Sequence, residues 1–308
     1  MCDQDQLDAF RRNDCSKPNG KASRRSFNAA VAAAGGGAML AACNASGGAE
    51  AEASTAVATQ GGVLGGEVAI PTAGGTIGGW FYHPSAGNHP AVIMWPDIAG
   101  VRPAAKAMGE RLAGEGFAVI VPDPYWRDAG HATFTDFADF MANDGFAKVT
   151  PYRNRFSAET IMADAKAIVA WLDQQDVVDK SLGMGARGHC MTGSWTIFAA
   201  NASQRVTVAA SMHGGGLVTE AADSPHKMLK GRAHYLFAIA QNDDVKEPEA
   251  KTKLREALSA SGALGSVEVY PADHGWTVPD GPAYDKVQAE RAYDAFLAMV
   301  QGLKIVAV

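Results

Sequence analysis

The chain has 308 residues, of which 47% are hydrophobic and 19% are charged, and its net charge is -6. This composition is too apolar for a disordered chain, and the acidity argues against nucleic acid as the main partner. Four cysteines are too few for a disulfide scaffold. The length fits one large α/β domain or two smaller domains.

Residues 1–42 are typical of an export signal. A polar segment, residues 1–22, is followed by Ser23-Arg24-Arg25-Ser26-Phe27 and then by an uncharged, Ala/Gly-rich stretch from Ala29 to Ala42. That stretch is shorter than the roughly 20 apolar residues that a membrane span needs. A charged segment, a short apolar segment and a small-residue end describe an export signal instead. The arginine pair resembles the twin-arginine type, which exports folded proteins.

The predicted signal ends at Leu40-Ala41-Ala42-Cys43, which resembles a bacterial lipobox. In such a segment Cys43 is acylated and becomes the first residue of the mature chain. Simple cleavage near Ala42 is the alternative. We therefore expect an exported bacterial protein that is either periplasmic or anchored to a membrane as a lipoprotein. Residues 43–61, which hold almost no large apolar side chain, are predicted to be a flexible tether.

From Gly62 onward, short apolar runs alternate with helical patterns. Val68–Ile70 and Gly78–Tyr82 flank a turn-forming segment and predict a hairpin. Apolar runs predict further strands at Ala91–Trp95, Phe117–Val121, Gly183–His189, Val206–Met212, His234–Ala240 and Val267–Tyr270. Helical periodicity predicts helices at Pro103–Gly116, Ser157–Gln174 with Ser157 as N-cap, Met191–Asn201, Glu247–Ser261 and Ala283–Leu303. This alternation requires a largely parallel sheet that is covered by helices on both faces.

Three predicted strands are followed by residues that suit nucleophilic catalysis. Cys190 lies between a strand and a helix, within Gly188-His189-Cys190-Met191-Thr192-Gly193. Small neighbours permit a sharp turn there, and a helix N-terminus stabilises a thiolate. Asp243 and Asp244 follow the strand that ends at Ala240, and His274 follows the strand that ends at Tyr270. The order nucleophile, acid, histidine is that of the α/β-hydrolases.

Each of these residues also has a simpler explanation. A single cysteine is more often a small buried side chain than a nucleophile, and a histidine after a strand is commonly a capping or surface residue. We favour the catalytic interpretation because the three residue types occur together in the expected order. The chain also contains no Gly-x-Ser-x-Gly sequence that would offer another nucleophile.

Over most of residues 64–303 the sequence resembles the dienelactone hydrolase family, whose members use a cysteine nucleophile. The resemblance is carried by residues 188–193, close to the family's Gly-x-Cys-x-Gly-Gly, by Pro122-Asp123-Pro124-Tyr125-Trp126-Arg127, and by Tyr270-Pro271-Ala272-Asp273-His274-Gly275-Trp276. It implies an α/β-hydrolase fold for residues 62–308, with a mostly parallel central sheet and helices on both faces. It also implies a catalytic triad of Cys190, Asp243 and His274, in which spacing favours Asp243 over Asp244.

The resemblance implies further site residues. The backbone N–H groups of Ile98 and Met191 would form an oxyanion hole. Asp97 stands where the family has a glutamate that helps to control the thiol, and a helix cap is its alternative role. Thr192 replaces a glycine of the family motif and, being β-branched, is expected to restrict the backbone and reshape the pocket.

Substrate contacts are expected from the aromatic and basic residues of the same motifs. Arg127 and Trp276 are the candidates for binding substrate, and Arg153 and Arg155 are further arginines that could hold a carboxylate. For the last two, a position at the solvated surface is the simpler explanation.

These patterns predict a hydrolase of small esters or lactones that works through a thioester and needs no cofactor. A metalloenzyme is disfavoured because the histidines and cysteines show no His-Glu-x-x-His or Cys-x-x-Cys spacing. The expected partner is a small-molecule substrate, with no nucleic acid and with membrane attachment only through a lipid on Cys43. A tethered binding protein that keeps the fold without the activity is the alternative.

Overall fold

The structure, a computed structural model, describes residues 57–58 and 62–303. The predicted export signal, Cys43 and most of the predicted tether lie outside the described residues. Within that tether, Val57–Ala58 form a two-residue strand that pairs with Leu64 and Gly65. The last residues, 304–308, are also outside the described part.

One sheet holds all the strands of the described residues. They are β1 (Val57–Ala58), β2 (Val63–Thr72), β3 (Gly75–Pro84), β4 (Ala91–Trp95), β5 (Ala118–Pro122), β6 (Met184–His189), β7 (Val206–Met212), β8 (His234–Ala240) and β9 (Leu264–Tyr270). Their spatial order is β1-β2-β3-β5-β4-β6-β7-β8-β9. The first three strands and β5 pair antiparallel, whereas every pairing from β5 to β9 is parallel.

Helices connect the parallel strands and cover both faces of the sheet. They are α1 (Pro103–Gly114), α2 (Phe137–Ala142), α3 (Gly145–Arg153), α4 (Ala158–Leu172), α5 (Trp195–Ala202), α6 (Gln241–Lys246), α7 (Ala250–Ser261) and α8 (Lys286–Gln301), with short 3₁₀ helices at Cys190–Thr192 and Pro225–Met228. None of these helices is long and apolar enough to cross a membrane.

Side chains of the central strands point alternately to the two faces of the sheet, and each face has its own hydrophobic core. Every residue of β4 is buried. Ile93 packs in the core beneath α4, α5 and α7, whereas its neighbours Val92 and Met94 pack in the core beneath α1 and α8. A strand buried on both faces is apolar at each position, which explains the continuous runs from which the central strands were predicted.

The predicted helix cap at Ser157 is confirmed. The Ser157 hydroxyl accepts from the N–H of Thr160 at 3.1 Å, and the Thr160 hydroxyl accepts from the N–H of Ser157 at 3.0 Å. This reciprocal box fixes the start of α4. Its predicted stripe, Ile161, Ala165, Ile168 and Leu172, is buried against the sheet.

Three short helices, α2, α3 and α6, were not predicted. Each has nine residues or fewer, and α3 contains Pro151. Segments this short carry too few turns for an apolar stripe to be visible in the sequence. Strand β9 begins at Leu264, earlier than predicted, because Gly265 and Ser266 interrupt the apolar run from which the strand was predicted.

Candidate active site

The turn after β6 holds Cys190 in a conformation that side chains rarely adopt. Its φ is 54°, in the left-handed region. A Cβ on Gly188 would lie 2.1 Å from the carbonyl oxygen of Thr192, and a Cβ on Gly193 would lie 2.4 Å from the Cα of Gly214. The sharp turn therefore requires glycine on both sides of Cys190, for the steric reason inferred from the sequence.

Thr192 fastens this turn to the loop after β4. Its side chain is fully buried. The hydroxyl accepts from the N–H of His189 at 3.0 Å and lies 2.9 Å from the carbonyl oxygen of Pro96. We expected Thr192 to reshape a substrate pocket. Its position does not fit that role, because the side chain is buried and its hydroxyl contacts both the Cys190 turn and the loop after β4.

We expect Gly188→Ala to destabilise the protein by about 3 kcal/mol or more, because a backbone carbonyl must move to admit the new methyl group. Gly114→Ala is the matched control, since nothing lies within 4 Å of a Cβ at Gly114. Chemical denaturation of both variants measures the difference. Equal stability of the two variants would contradict the described turn.

Cys190, His274 and Asp243 form one hydrogen-bonded chain at the carboxyl edge of the parallel strands. His274 Nε2 lies 3.1 Å from Cys190 Sγ, and His274 Nδ1 lies 2.6 Å from Asp243 Oδ2. Asp244, the other acid left open by the sequence, binds Lys251 Nζ at 2.7 Å. The geometry thus pairs Asp243 with the histidine and turns Asp244 towards α7.

The loops that carry the histidine and the acid are joined directly. The side-chain oxygen of Asn242 accepts from the N–H of His274 at 2.8 Å. The Gln241 side chain donates to Asp273 Oδ1 at 3.0 Å. These bonds hold the loop after β9 against the loop after β8, so that the imidazole of His274 is oriented by more than its contact with Asp243.

Tyr125 links the two residues expected to supply the oxyanion hole. Its buried hydroxyl donates to the carbonyl oxygen of Ile98 at 2.7 Å and lies 3.7 Å from Met191 Sδ. Met191 is in the first turn of a 3₁₀ helix, where N–H groups have no partner within the helix. The Tyr125 hydroxyl therefore connects the loop after β4 to the turn that carries Met191.

Residues 77–303 match the sequence profile of the dienelactone hydrolase family. The chain belongs to this family. It is 28% identical over 218 residues to a predicted carboxymethylenebutenolidase of Synechocystis sp., covering 69% of this chain and 85% of the relative. It is 25% identical over 215 residues to a carboxymethylenebutenolidase of Pseudomonas sp. strain P51, covering 70% and 85%.

A solved structure shows the same fold. Dienelactone hydrolase from Anabaena variabilis superposes with a TM-score of 0.57 at 13% identity, covering 79% of this chain and 99% of its own. The predicted α/β-hydrolase fold is confirmed, and family membership makes the chain an ester or lactone hydrolase.

Asp97, which the resemblance is expected to align with a glutamate of the family, is bound by a buried arginine. Asp97 Oδ1 and Oδ2 accept from the guanidinium of Arg102 at 2.6 and 2.9 Å, and Oδ1 also accepts from the N–H of Ala99. Arg102 also binds Asp280 at 2.8 Å. The alternative cap is not formed, since the N-cap of α1 is Arg102. The shorter carboxylate is thus oriented by an ion pair.

In this member of the dienelactone hydrolase family, most of the residues predicted to contact substrate bind other side chains or lie in the core. Arg127 forms a two-pronged ion pair with Asp164 at 2.7 and 2.6 Å. Trp276 is fully buried and stacks on Tyr270 at 5.1 Å. The expected substrate contact by Trp276 does not fit its place in the core. Arg155 pairs with Asp128. Burial raises the pKa of the Tyr125 phenol, and the nearby positive charge of Arg153 acts in the opposite direction.

A buried histidine, His213, accepts a hydrogen bond from the backbone of Cys190, and the sequence did not lead us to predict it. His213 Nδ1 accepts from the N–H of Cys190 at 3.2 Å, so the ring proton lies on Nε2, which donates to Thr277 Oγ1 at 2.7 Å. The Thr277 hydroxyl in turn contacts His189 Nδ1 at 2.8 Å. His213 follows β7 directly, so the rule used for Cys190 and His274, that site residues follow parallel strands, could have found it.

Burial lowers the pKa of His189 and of His213 well below 6.5. Both rings are neutral in the folded protein, whereas the unfolded chain takes up protons below pH 6.5. The contribution of these two rings to stability is therefore complete above about pH 6.5, and below it that contribution falls by up to about 1.4 kcal/mol per pH unit for each ring. Urea unfolding between pH 5 and 7 measures this slope. His213→Gln should reduce it, and an unchanged slope would contradict the assignment.

Proposed function

We propose that this protein hydrolyses small esters or lactones through a Cys190, His274 and Asp243 triad and a thioester intermediate. The observation that supports it most strongly is the position of His274, whose two ring nitrogens contact the thiol at 3.1 Å and the carboxylate at 2.6 Å. An imidazole in that place can take a proton from the nucleophile while the carboxylate fixes its tautomer.

In the first half of the proposed reaction, His274 Nε2 takes the proton of the Cys190 thiol, and the sulfur attacks the carbonyl carbon. The carbonyl oxygen becomes an oxyanion, which the N–H groups of Ile98 and Met191 stabilise by a few kcal/mol for each donor. When the intermediate collapses, the bond to the leaving oxygen breaks and His274 protonates that oxygen. Cys190 is left as a thioester.

In the second half, water attacks the thioester while His274 accepts its proton. The bond to Cys190 Sγ breaks, the carboxylic acid leaves, and the thiol regains its proton from His274. Asp243 orients the ring through Nδ1 and stabilises the imidazolium that forms twice in each cycle. A thiolate suits activated esters and lactones better than amides, so we propose no peptidase activity.

The alternative is a binding protein with the same fold and no catalytic activity. The two functions predict different reactivity for the thiol of Cys190. We expect iodoacetamide to label Cys190 and to abolish hydrolysis of a small aryl ester in proportion to the labelling. Peptide mapping separates Cys190 from the other three cysteines. Loss of activity with no label on Cys190, or full labelling with full activity, would contradict the proposal.

We also propose, from the sequence alone, that the chain is exported and that Cys43 carries a lipid. Expression in a bacterial host with a radiolabelled fatty acid tests it. Label on the wild-type chain that is lost in Cys43→Ala supports the anchor. Unlabelled protein in the periplasm would support simple cleavage instead.

A further inference from the structure

A buried arginine, Arg187, interrupts the apolar core outside the site described above. It lies within β6, whose six residues are all buried, and pairs in register with Met94 of β4 and Ala210 of β7. Alternation along the strand directs its side chain to the face covered by α1 and α8. Only 4% of Arg187 is exposed. A charged side chain in this position needs a compensating partner.

Within residues 57–58 and 62–303, no carboxylate contacts Arg187 directly, and its buried Nε has no hydrogen-bond acceptor. Glu290 and Arg111 act on it only as nearby charges of opposite sign. The Cζ of Arg187 lies 5.5 Å from the ring centroids of Tyr293 and Phe296, which offset only part of the lost hydration. Burial lowers the pKa of Arg187 to about 10, so the guanidinium still carries its charge at neutral pH.

The guanidinium lines a cavity of about 180 Å³ between α1, α8 and the loop after β9. Tyr293 also lines it, but its hydroxyl, which has no hydrogen-bond partner in the described chain, is itself buried and does not open onto the cavity. At the rim, Arg111 and Glu290 bind each other at 2.6 Å and are partly exposed. Their charges cancel, so the net charge facing the cavity is that of Arg187.

We propose that this cavity binds a small carboxylate anion, with the carboxylate on the guanidinium of Arg187. A guanidinium presents two parallel N–H groups that match the two carboxylate oxygens. The rest of the lining includes the apolar side chains of Ala107, Met108, Pro279 and Ala289. These side chains fit the hydrocarbon part of an organic acid better than they fit a fully hydrated inorganic ion.

The volume sets the size of the ligand. A cavity of about 150 Å³ holds benzene, so the present cavity fits an acid of the size of benzoate. None of Cys190, His274 and Asp243 lines the site, and Thr277, which contacts His213, is the one lining residue that is connected to the Cys190 turn by hydrogen bonds described above. The site can therefore be tested in protein that lacks the nucleophile.

The test uses the Cys190→Ala protein, which excludes acid bound through the thiol chemistry. Sodium benzoate is expected to bind with a Kd of about 1 mM. At a concentration of about ten times that Kd, benzoate should raise Tm by about 3 to 6 °C relative to sodium chloride at the same concentration. Benzamide, which has the same shape without the charge, should have no effect. No shift with benzoate, or equal shifts with benzamide, would overturn the proposal.

Variants locate the bound anion. Adding Arg187→Met should abolish the benzoate shift, whereas Arg291→Met on the outer side of α8 should leave it intact. If Arg187→Met does not fold, Arg187→Lys, which keeps the charge but lacks the paired N–H groups, should weaken benzoate binding about fivefold. An unchanged affinity in Arg187→Lys, an unchanged shift in Arg187→Met, or a shift with inorganic phosphate but not with benzoate would each contradict a carboxylate site.

Discussion

Replacing Cys190 with alanine should lower kcat/KM for a small aryl ester by about 10⁴-fold or more. Removing the sulfur leaves His274 and the oxyanion donors in place but removes the atom that forms the acyl bond. Cys190 is 6% exposed, and alanine removes only the sulfur from this position. We therefore expect the free energy of unfolding to change by only about 1 kcal/mol.

The matched control for this loss is Cys43→Ala, which removes a cysteine from the segment before the hydrolase domain. It should retain full hydrolysis of the same ester. Steady-state kinetics on both purified variants measures the contrast. If Cys190→Ala keeps a tenth or more of the wild-type activity, Cys190 is not the nucleophile.

Exchanging Asp243 for asparagine should lower kcat by about 10³- to 10⁴-fold, because the amide holds the imidazole of His274 in a less suitable tautomer. Asp244→Asn should change kcat less than about threefold, since Asp244 contacts Lys251 on α7 instead. The two acids are adjacent in sequence, but Asp243 contacts His274 and Asp244 contacts Lys251. Each variant is therefore a control for the other.

The two variants should also separate catalysis from binding. Asp243→Asn is expected to act on kcat with little change in KM, because Asp243 lies behind His274 and does not face the substrate. Initial rates over a range of ester concentrations give both constants. A large loss in Asp244→Asn, or near-normal kcat in Asp243→Asn, would contradict the pairing seen at 2.6 Å.

The sequence predicted the central strands well, because strands buried on both faces are apolar at every position. The runs at β4, β7 and β8 have the predicted limits. Once a parallel sheet is predicted, Cys190 and His274 must lie at the same edge, since each follows a strand. This reasoning needs only the order of the elements and no side-chain contact.

Other features depend on contacts that distant segments make, and the sequence does not show them. The choice between Asp243 and Asp244 depends on the orientation of α6, a helix too short to be predicted. Burial of Trp276 depends on stacking against Tyr270, and the ion pair of Asp97 depends on Arg102 folding back onto its loop. Arg187 lies within a predicted strand, and the sequence pattern does not show that its charged side chain is buried.

The most direct test of the proposed mechanism is mass spectrometry of the protein quenched in acid during turnover of an activated aryl ester. The mechanism predicts one acyl group on the peptide that contains Cys190, formed within the first turnover and absent from Cys190→Ala. An acyl group on another residue, or turnover with no acylated Cys190 at any time, would contradict it.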